Sequence, residues 1–189
     1  ISNDVKKIIL SISGGVDSVF LFNLLLECKK NYPLEIILYH VNYNMNSNSI
    51  SAVDLLKKLS NKHNIVFLYD NIKIKNKNFE SEARIFRYSK LKEISIQHSV
   101  DLILTAHHYD DQLETLLMKE DEGADWVSFL GIRERYKKIY RPLLLLPKDK
   151  IVDYACNLNI KWIEDVSNNC LDFKRNKIRK LLKDNYYSN

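Results

Sequence analysis

Residues 10–20, LSISGGVDSVF, decide how the rest of the chain is read. The chain holds only four glycines in 189 residues, yet Gly14 and Gly15 stand side by side here, between an apolar run and the group Asp17-Ser18. The Ile- and Leu-rich run that ends at Ile12 predicts a buried strand. The apolar-periodic VFLFNLLLECKK after Ser18 predicts a helix. Two glycines between them permit positive φ and close backbone approach, so successive N–H groups and the helix N-terminus can converge on an anion. The hydroxyls of Ser13 and Ser18 add neutral donors suited to a pyrophosphate. A plain strand-to-helix turn capped by Ser18 would use the same residues, and the glycines alone do not choose between the two.

Outward from this turn the same alternation continues. Apolar runs at Lys7 to Ile12, Glu35 to Val41, Ile65 to Tyr69 and Asp101 to Ala106 predict buried parallel strands. Helical spacing fills Ser18 to Lys30, Ser49 to His63 and Glu80 to His98, and further helices are expected from near Asp110, from near Lys148 and over Phe173 to Lys183. The expected fold class is therefore α/β, an open, mostly parallel sheet with flanking helices, in one domain over residues 1–189. Residues 119–138 are charged and irregular and predict a mobile loop with a short apolar anchor at Val127 to Leu130. In such sheets ligands bind beyond the carboxyl ends of the strands, where the chemistry-bearing motifs fall.

Composition narrows the class without naming a partner. With 46% hydrophobic and 28% charged residues the chain is ordinary for a globular protein and unlike a disordered one. Apolar runs such as Leu143 to Leu146 fall far short of the roughly 20 residues that span a bilayer, and the first residues lack the order of a signal peptide. A cytoplasmic protein with no membrane association is expected, and the chain is read either as a piece of a longer protein or as a short form. Cys28, Cys156 and Cys170 show no paired spacing, so buried reduced thiols are expected rather than disulfides or a metal site. A net charge of +5 is compatible with a nucleic-acid partner but does not establish one.

The order SGGVDS lacks the GxxxxGK[ST] and GxGxxG signatures. It resembles the SGGxDS pyrophosphate loop of the N-type ATP pyrophosphatases. Downstream, HVNYNMN (40–46), EARIFRY (82–88), LTAHHYDDQLET (104–115), RPLL (141–144) and WIEDVSNNCLDFKRNKIR (162–179) follow in one order. Together they resemble the catalytic domain of the tRNA(Ile)-lysidine synthetase family. The resemblance implies an adenine-nucleotide α-hydrolase-like, Rossmann-like fold. It also implies a ligase that adenylates O2 of the wobble cytidine of tRNA(Ile) with a CAU anticodon, then joins free L-lysine with release of AMP. Its cofactors would be ATP and Mg²⁺, a homodimer is compatible with it, and the usual C-terminal tRNA-binding domains are absent from these 189 residues.

Residue by residue, Ser13, Gly14, Gly15, Asp17 and Ser18 would bind the ATP phosphates, with Asp17 holding Mg²⁺. His40 and Asn42, at the end of the second strand, would lie near the adenosine; a strand-end turn is the bland alternative. Asp111 and Glu114, spaced i, i+3 at the start of a helix, form with Asp110 a carboxylate cluster that a cation would relieve. A solvated acidic first turn is the ordinary explanation of such a pair, and the resemblance instead makes them ligands of the substrate lysine. His107 and His108 would contact phosphate or orient the reacting groups, His108 catalytically, unless they are core histidines. Of Arg84 and Arg87, the resemblance favours Arg84 as the group that neutralises the α-phosphate. Arg175 and Arg179 share a helical face, and Arg179 would meet the lysine carboxylate.

The chain departs from the family pattern in two places. HVNHxLR is replaced by His40-Val41-Asn42-Tyr43-Asn44-Met45-Asn46. A basic, glycine-rich segment is replaced by the acidic run from Lys119 to Gly131, which weakens contact with a polyanion. A degenerate ATP-binding regulatory module would fit that second change. A tRNA-thiolating enzyme would ordinarily need paired cysteines, which the chain lacks.

Overall fold

The computed structural model describes residues 4–44, 48–73, 79–125, 129–164 and 178. Strand β1 (Lys7–Ser11) lies between two parallel neighbours, β2 (Glu35–Asn42) and β4 (Leu102–Thr105). Because a central strand is covered on both faces, Ile8, Ile9 and Leu10 in the middle of KIILS are apolar and buried in succession rather than alternating. Its alternation instead sorts side chains between two layers. Ile8 and Leu10 join one buried cluster with Phe22 and Leu25 of α1 (Val16–Asn31), Leu56 of α2 (Asn48–Lys62) and Ile151 of α5 (Lys148–Asn157). Ile9 joins the opposite cluster with Ile37 and Tyr39 of β2 and Leu91 and Ile94 of α3 (Phe79–Gln97).

The sheet is completed by β3 (Val66–Asn71), β5 (Arg135–Tyr136) and β6 (Ile139–Tyr140), in the order β3-β2-β1-β4-β6-β5. All pairs are parallel except β5 with β6. The chain moves outward from β1 to β2 and β3 on one side, then returns to place β4 on the other. The carboxyl ends of β1 and β4 therefore flank a topological switch point, where neighbouring connections diverge and leave a crevice. α4 (Tyr109–Asp121) starts directly from β4 and opens at that crevice.

The α/β expectation is met, and two details differ. Residues 119–138, expected as one loop, include the end of α4 and strand β5 of a tight hairpin whose second strand pairs parallel with β4. The apolar anchor is not formed by its described half: Phe129 and Leu130 are 44% and 56% exposed. A two-residue strand is too short to leave a period in sequence, so Arg135 and Tyr136 read as part of a charged loop. The helix expected over Phe173 to Lys183 falls outside the described residues apart from Ile178, which is helical and buried. Among the described residues, no helix is long and apolar enough to cross a membrane.

Candidate active site

The turn between β1 and α1 is built around one hydroxyl. Ser18 Oγ accepts the N–H groups of Ser13 (3.1 Å) and Gly14 (3.2 Å) and donates to the Gly15 carbonyl (3.0 Å). Ser18 is thus no helix cap; Gly15 occupies that position without a side-chain bond. A hydroxyl oxygen that receives two consecutive N–H donors marks the concavity where an anion oxygen would be received. Gly14 has φ +94°, and a Cβ there would lie 3.2 Å from Cβ of Ala52 on α2. The Gly14 carbonyl accepts the N–H of Ile163 at 2.9 Å, so the distant WIED segment fixes the turn from behind.

Ser13, Asp17, Ser18, His40, Asp111 and His107 are all on the wall of one cavity of about 370 Å³ at the switch point. His40 is buried, and its Nδ1 lies 2.8 Å from the Ile12 carbonyl. A carbonyl only accepts, so Nδ1 carries the proton and Nε2 is an acceptor. Nε2 is buried and has no hydrogen-bond partner among the described residues, and burial lowers the pKa of this imidazole. Asn42 differs from expectation. Its amide donates to Asn71 Oδ1 (2.9 Å) and accepts the Asn44 N–H (2.9 Å), and it does not line the cavity. Asn44 has φ +52°, and an Asn two residues before such a turn is consumed in closing it.

Three helix starts, those of α1, α4 and α5, bring carboxylates and cations together. Lys148, the first residue of α5, places Nζ 2.5 and 2.6 Å from the two Asp17 oxygens, and its backbone N–H donates to Asp110 at 2.8 Å. His108, buried before α4, holds Nε2 3.5 Å from Asp111 and 3.9 Å from Asp17, with Nδ1 3.5 Å from Asp110. Burial works to lower its pKa; the surrounding Asp110, Asp111 and Asp17 outweigh that and raise it. Asp111 also accepts the His108 backbone N–H at 3.0 Å, which anchors the helix start. Both oxygens of Asp17 thus already face a cation, and hard oxygen donors of this kind suit Mg²⁺, which uses one or two carboxylates beside phosphate oxygens. Among the described residues, no group of three His, Cys, Asp or Glu is arranged to hold a metal by itself.

Glu114 is fully buried and does not line the cavity, which removes the solvated-turn explanation for that residue. His107 does line it, with Nδ1 2.9 Å from Thr105 Oγ1. Its pKa is lowered to about 3, first by burial and then by Arg141, Arg84 and Arg87, against the pull of Asp111. The imidazole is therefore neutral near pH 7. Arg87, rather than Arg84, reaches the cavity wall; Arg84 is exposed and lies 5.1 Å from the Tyr88 ring centre. Arg179 and Arg175 lie outside the described residues.

Three contributors were not anticipated in sequence. Lys148 sat in a segment read only as a helix start. Tyr43, noted only as a substitution, lines the cavity and donates to the Ala83 carbonyl at 3.1 Å. Gln112 accepts the Ile132 N–H at 2.5 Å, and a Cβ on Gly131 (φ +62°) would meet its amide at 2.5 Å. The HHYDDQ segment and Gly131 are visible separately in sequence; their contact is not.

A family profile described as PP-loop domain matches residues 2–185. Curated relatives named tRNA(Ile)-lysidine synthase include one from Buchnera aphidicola, 37% identical over 92% of this chain and 40% of its own length. Another, from Aster yellows witches'-broom phytoplasma, is 34% identical over 90% and 39%. A third, from Campylobacter jejuni, is 34% identical over 92% and 54%. The chain thus spans about half or less of the length of these relatives. Among solved structures, the U34-tRNA thiolase NcsA from Methanococcus maripaludis with its [4Fe-4S] cluster superimposes with a TM-score of 0.76. It is 25% identical, over 97% of this chain and 68% of its own.

Proposed function

Because the chain belongs to the PP-loop domain family, we propose that it is the catalytic part of an ATP-dependent tRNA(Ile)-lysidine-forming ligase. The observation that carries this reading is the convergence on one cavity of the Ser13–Ser18 anion turn, the Asp17 carboxylate and Asp111. The first two suit a nucleotide triphosphate; the third suits an ammonium group. In the proposed reaction O2 of cytidine attacks the α-phosphorus of ATP and pyrophosphate leaves. The ε-amine of lysine then attacks C2, and AMP leaves.

The residues take roles that follow from their chemistry. The Ser13 and Ser18 hydroxyls and the N-terminus of α1 receive phosphate oxygens, and Nε2 of His40 accepts a hydrogen bond from a sugar hydroxyl or the base amine of ATP. Arg87 neutralises charge growing at the α-phosphate. Mg²⁺, held by Asp17 and the phosphates, would stabilise the departing pyrophosphate. Asp111 binds the lysine ammonium, and the neutral imidazole of His107 on the same wall is a hydrogen-bond partner that orients the reacting groups.

A thiolase reading draws on the neighbouring solved fold, but among the described residues neither Cys28 in α1 nor Cys156 in α5 lines the cavity, and Cys170 lies outside them. Sulfur transfer or a cluster would need thiolates there. Reconstitution with ATP, Mg²⁺, radiolabelled lysine and an isoleucine tRNA bearing a CAU anticodon tests the proposal. It should yield AMP, pyrophosphate and lysine-labelled tRNA, and the absence of label at saturating substrates would refute it.

A further inference from the structure

Beyond the cavity, the β5–β6 hairpin is an unusual sheet edge. Arg133, Arg135, Tyr136, Lys137 and Lys138 are all exposed in one short segment. Tyr136 is 47% exposed and is flanked by two cations, Arg133 at 6.0 Å and Lys137 at 5.4 Å from the ring centre. Glu134, the one acid among them, lies near the Tyr140 hydroxyl and adds to burial in raising its pKa. A charged edge also serves to block pairing with other strands, but blocking needs no exposed aromatic ring. With both cations lying over the exposed ring, a nucleobase can take the place of one of them on the ring while its flanking phosphates hold the displaced cation.

The hairpin is anchored at its Arg133–Glu134 end, toward the carboxyl edge of the sheet, while its tip at Lys137–Lys138 lies beside the start of β4. Arg141 is buried; its Nη1 donates to the Arg133 carbonyl at 2.6 Å and its backbone N–H to the Glu134 carbonyl at 2.9 Å. Its Nη2 lies 3.5 Å from the Tyr88 hydroxyl, and the Tyr88 ring carries Arg84 and Arg87 at 5.1 and 5.8 Å. Arg87 is on the cavity wall. A run of positive charge therefore leads from the cavity across α3 to the arginine end of the hairpin.

From this placement we infer that the β5–β6 hairpin is an RNA-docking surface, on which an unpaired base stacks against Tyr136 while Arg133 and Lys137 take the adjoining phosphates. The inference rests on the reading of the chain as an RNA-modifying enzyme, and deepens it by assigning a grip distinct from the reaction cavity. It also offsets the acidic run at 120–122 by supplying the polyanion contact from the other side of Gly131.

The test uses the protein at its natural length with a tRNA transcript, at several salt concentrations. Tyr136→Ala should weaken RNA binding about tenfold, within the range for losing one stacked base, while Tyr136→Phe stays within about twofold of the parent. Arg133→Gln with Lys137→Gln should lower the slope of log affinity against log salt by about 1.4, the share of two single-strand phosphates. ATP affinity should be unchanged in all of them. Unchanged RNA affinity and salt slope in these variants would overturn the inference, as would loss of binding to phosphatidylserine vesicles with RNA binding intact. If the parent forms no lysine adduct yet Tyr136→Ala still loses RNA, the docking surface stands and the reaction assignment falls.

Discussion

Gly14→Ala tests whether the phosphate turn is held by its glycine or merely contains one. With φ at +94°, residue 14 lies well beyond the left-handed centre near +57° that non-glycine residues tolerate. An alanine there costs about 1.5 kcal/mol in backbone strain. The new methyl would also meet Cβ of Ala52 at 3.2 Å, and α2 must shift or compress, which costs about 1 kcal/mol more at the low end of overpacking. Against this, alanine restricts the unfolded chain and returns about 0.7 kcal/mol. The expected net loss is about 2 kcal/mol, or about 6 °C in Tm for a chain of this size. Chemical denaturation measures it directly, with a double-mutant cycle to Ala52→Gly as control. Ala52→Gly alone should destabilise by about 1 kcal/mol as a helix substitution. In the Gly14→Ala background that cost should largely vanish, because the opposing methyl is gone, giving a coupling of about 1 kcal/mol. A loss below about 0.5 kcal/mol, or a coupling near zero, would refute the contact between turn and α2.

Lys148→Met leaves Asp17 without its bound ammonium, and since the pair is partly exposed the stability loss should stay under about 1 kcal/mol; the Mg²⁺ dependence of pyrophosphate release should shift, and an unaltered profile would remove Asp17 from the metal role. Asp111→Asn should raise the lysine requirement more than the ATP requirement, and equal effects would argue that Asp111 serves the phosphates instead. The two adjacent histidines should give opposite pH responses in thermal melts. His108 has a raised folded pKa, so its stabilisation is complete below the unfolded value of 6.5 and is lost as pH rises through the folded one. His107 is lowered to about 3, so its contribution is present above 6.5 and is lost as pH falls toward 3. His108→Asn should flatten the alkaline side of the stability profile and His107→Asn the acidic side; the same change from both would show that the imidazoles share one environment.

Much of the architecture was legible because buried parallel strands leave long apolar runs and their crossover helices leave a period of 3.6. KIILS and EIILYHVN announce themselves in this way, and so does the glycine pair that must turn the chain between them. The hairpin at 135–140 did not, since two residues per strand are held by Arg141 and by pairing with β4 rather than by any pattern of their own. Within the site, the motif residues Ser13, Asp17, His40, His107 and Asp111 do meet on one wall. The choice between Arg84 and Arg87 could not be made from an i, i+3 spacing, because which of two neighbours on a helix faces a cavity depends on how α3 is rotated against the sheet. Asn42 lies off that wall for a related reason: its amide is bonded locally to Asn71 and to the turn at Asn44.

What the sequence determined alone is the set of chemical groups and the α/β order that carries them to the carboxyl edge of a parallel sheet. Local propensity, apolar periodicity and the need for glycine in the turn are all properties of neighbouring residues, and they survive without knowledge of the fold. What only the tertiary structure decided is which groups are paired, buried or open. Lys148 lies 131 positions from Asp17 yet binds both of its oxygens, Glu114 is sealed in the interior, and Tyr136 stands exposed between two cations. Coulomb attraction and desolvation depend on distance and exposure in three dimensions, and neither quantity is written in the spacing of residues along the chain.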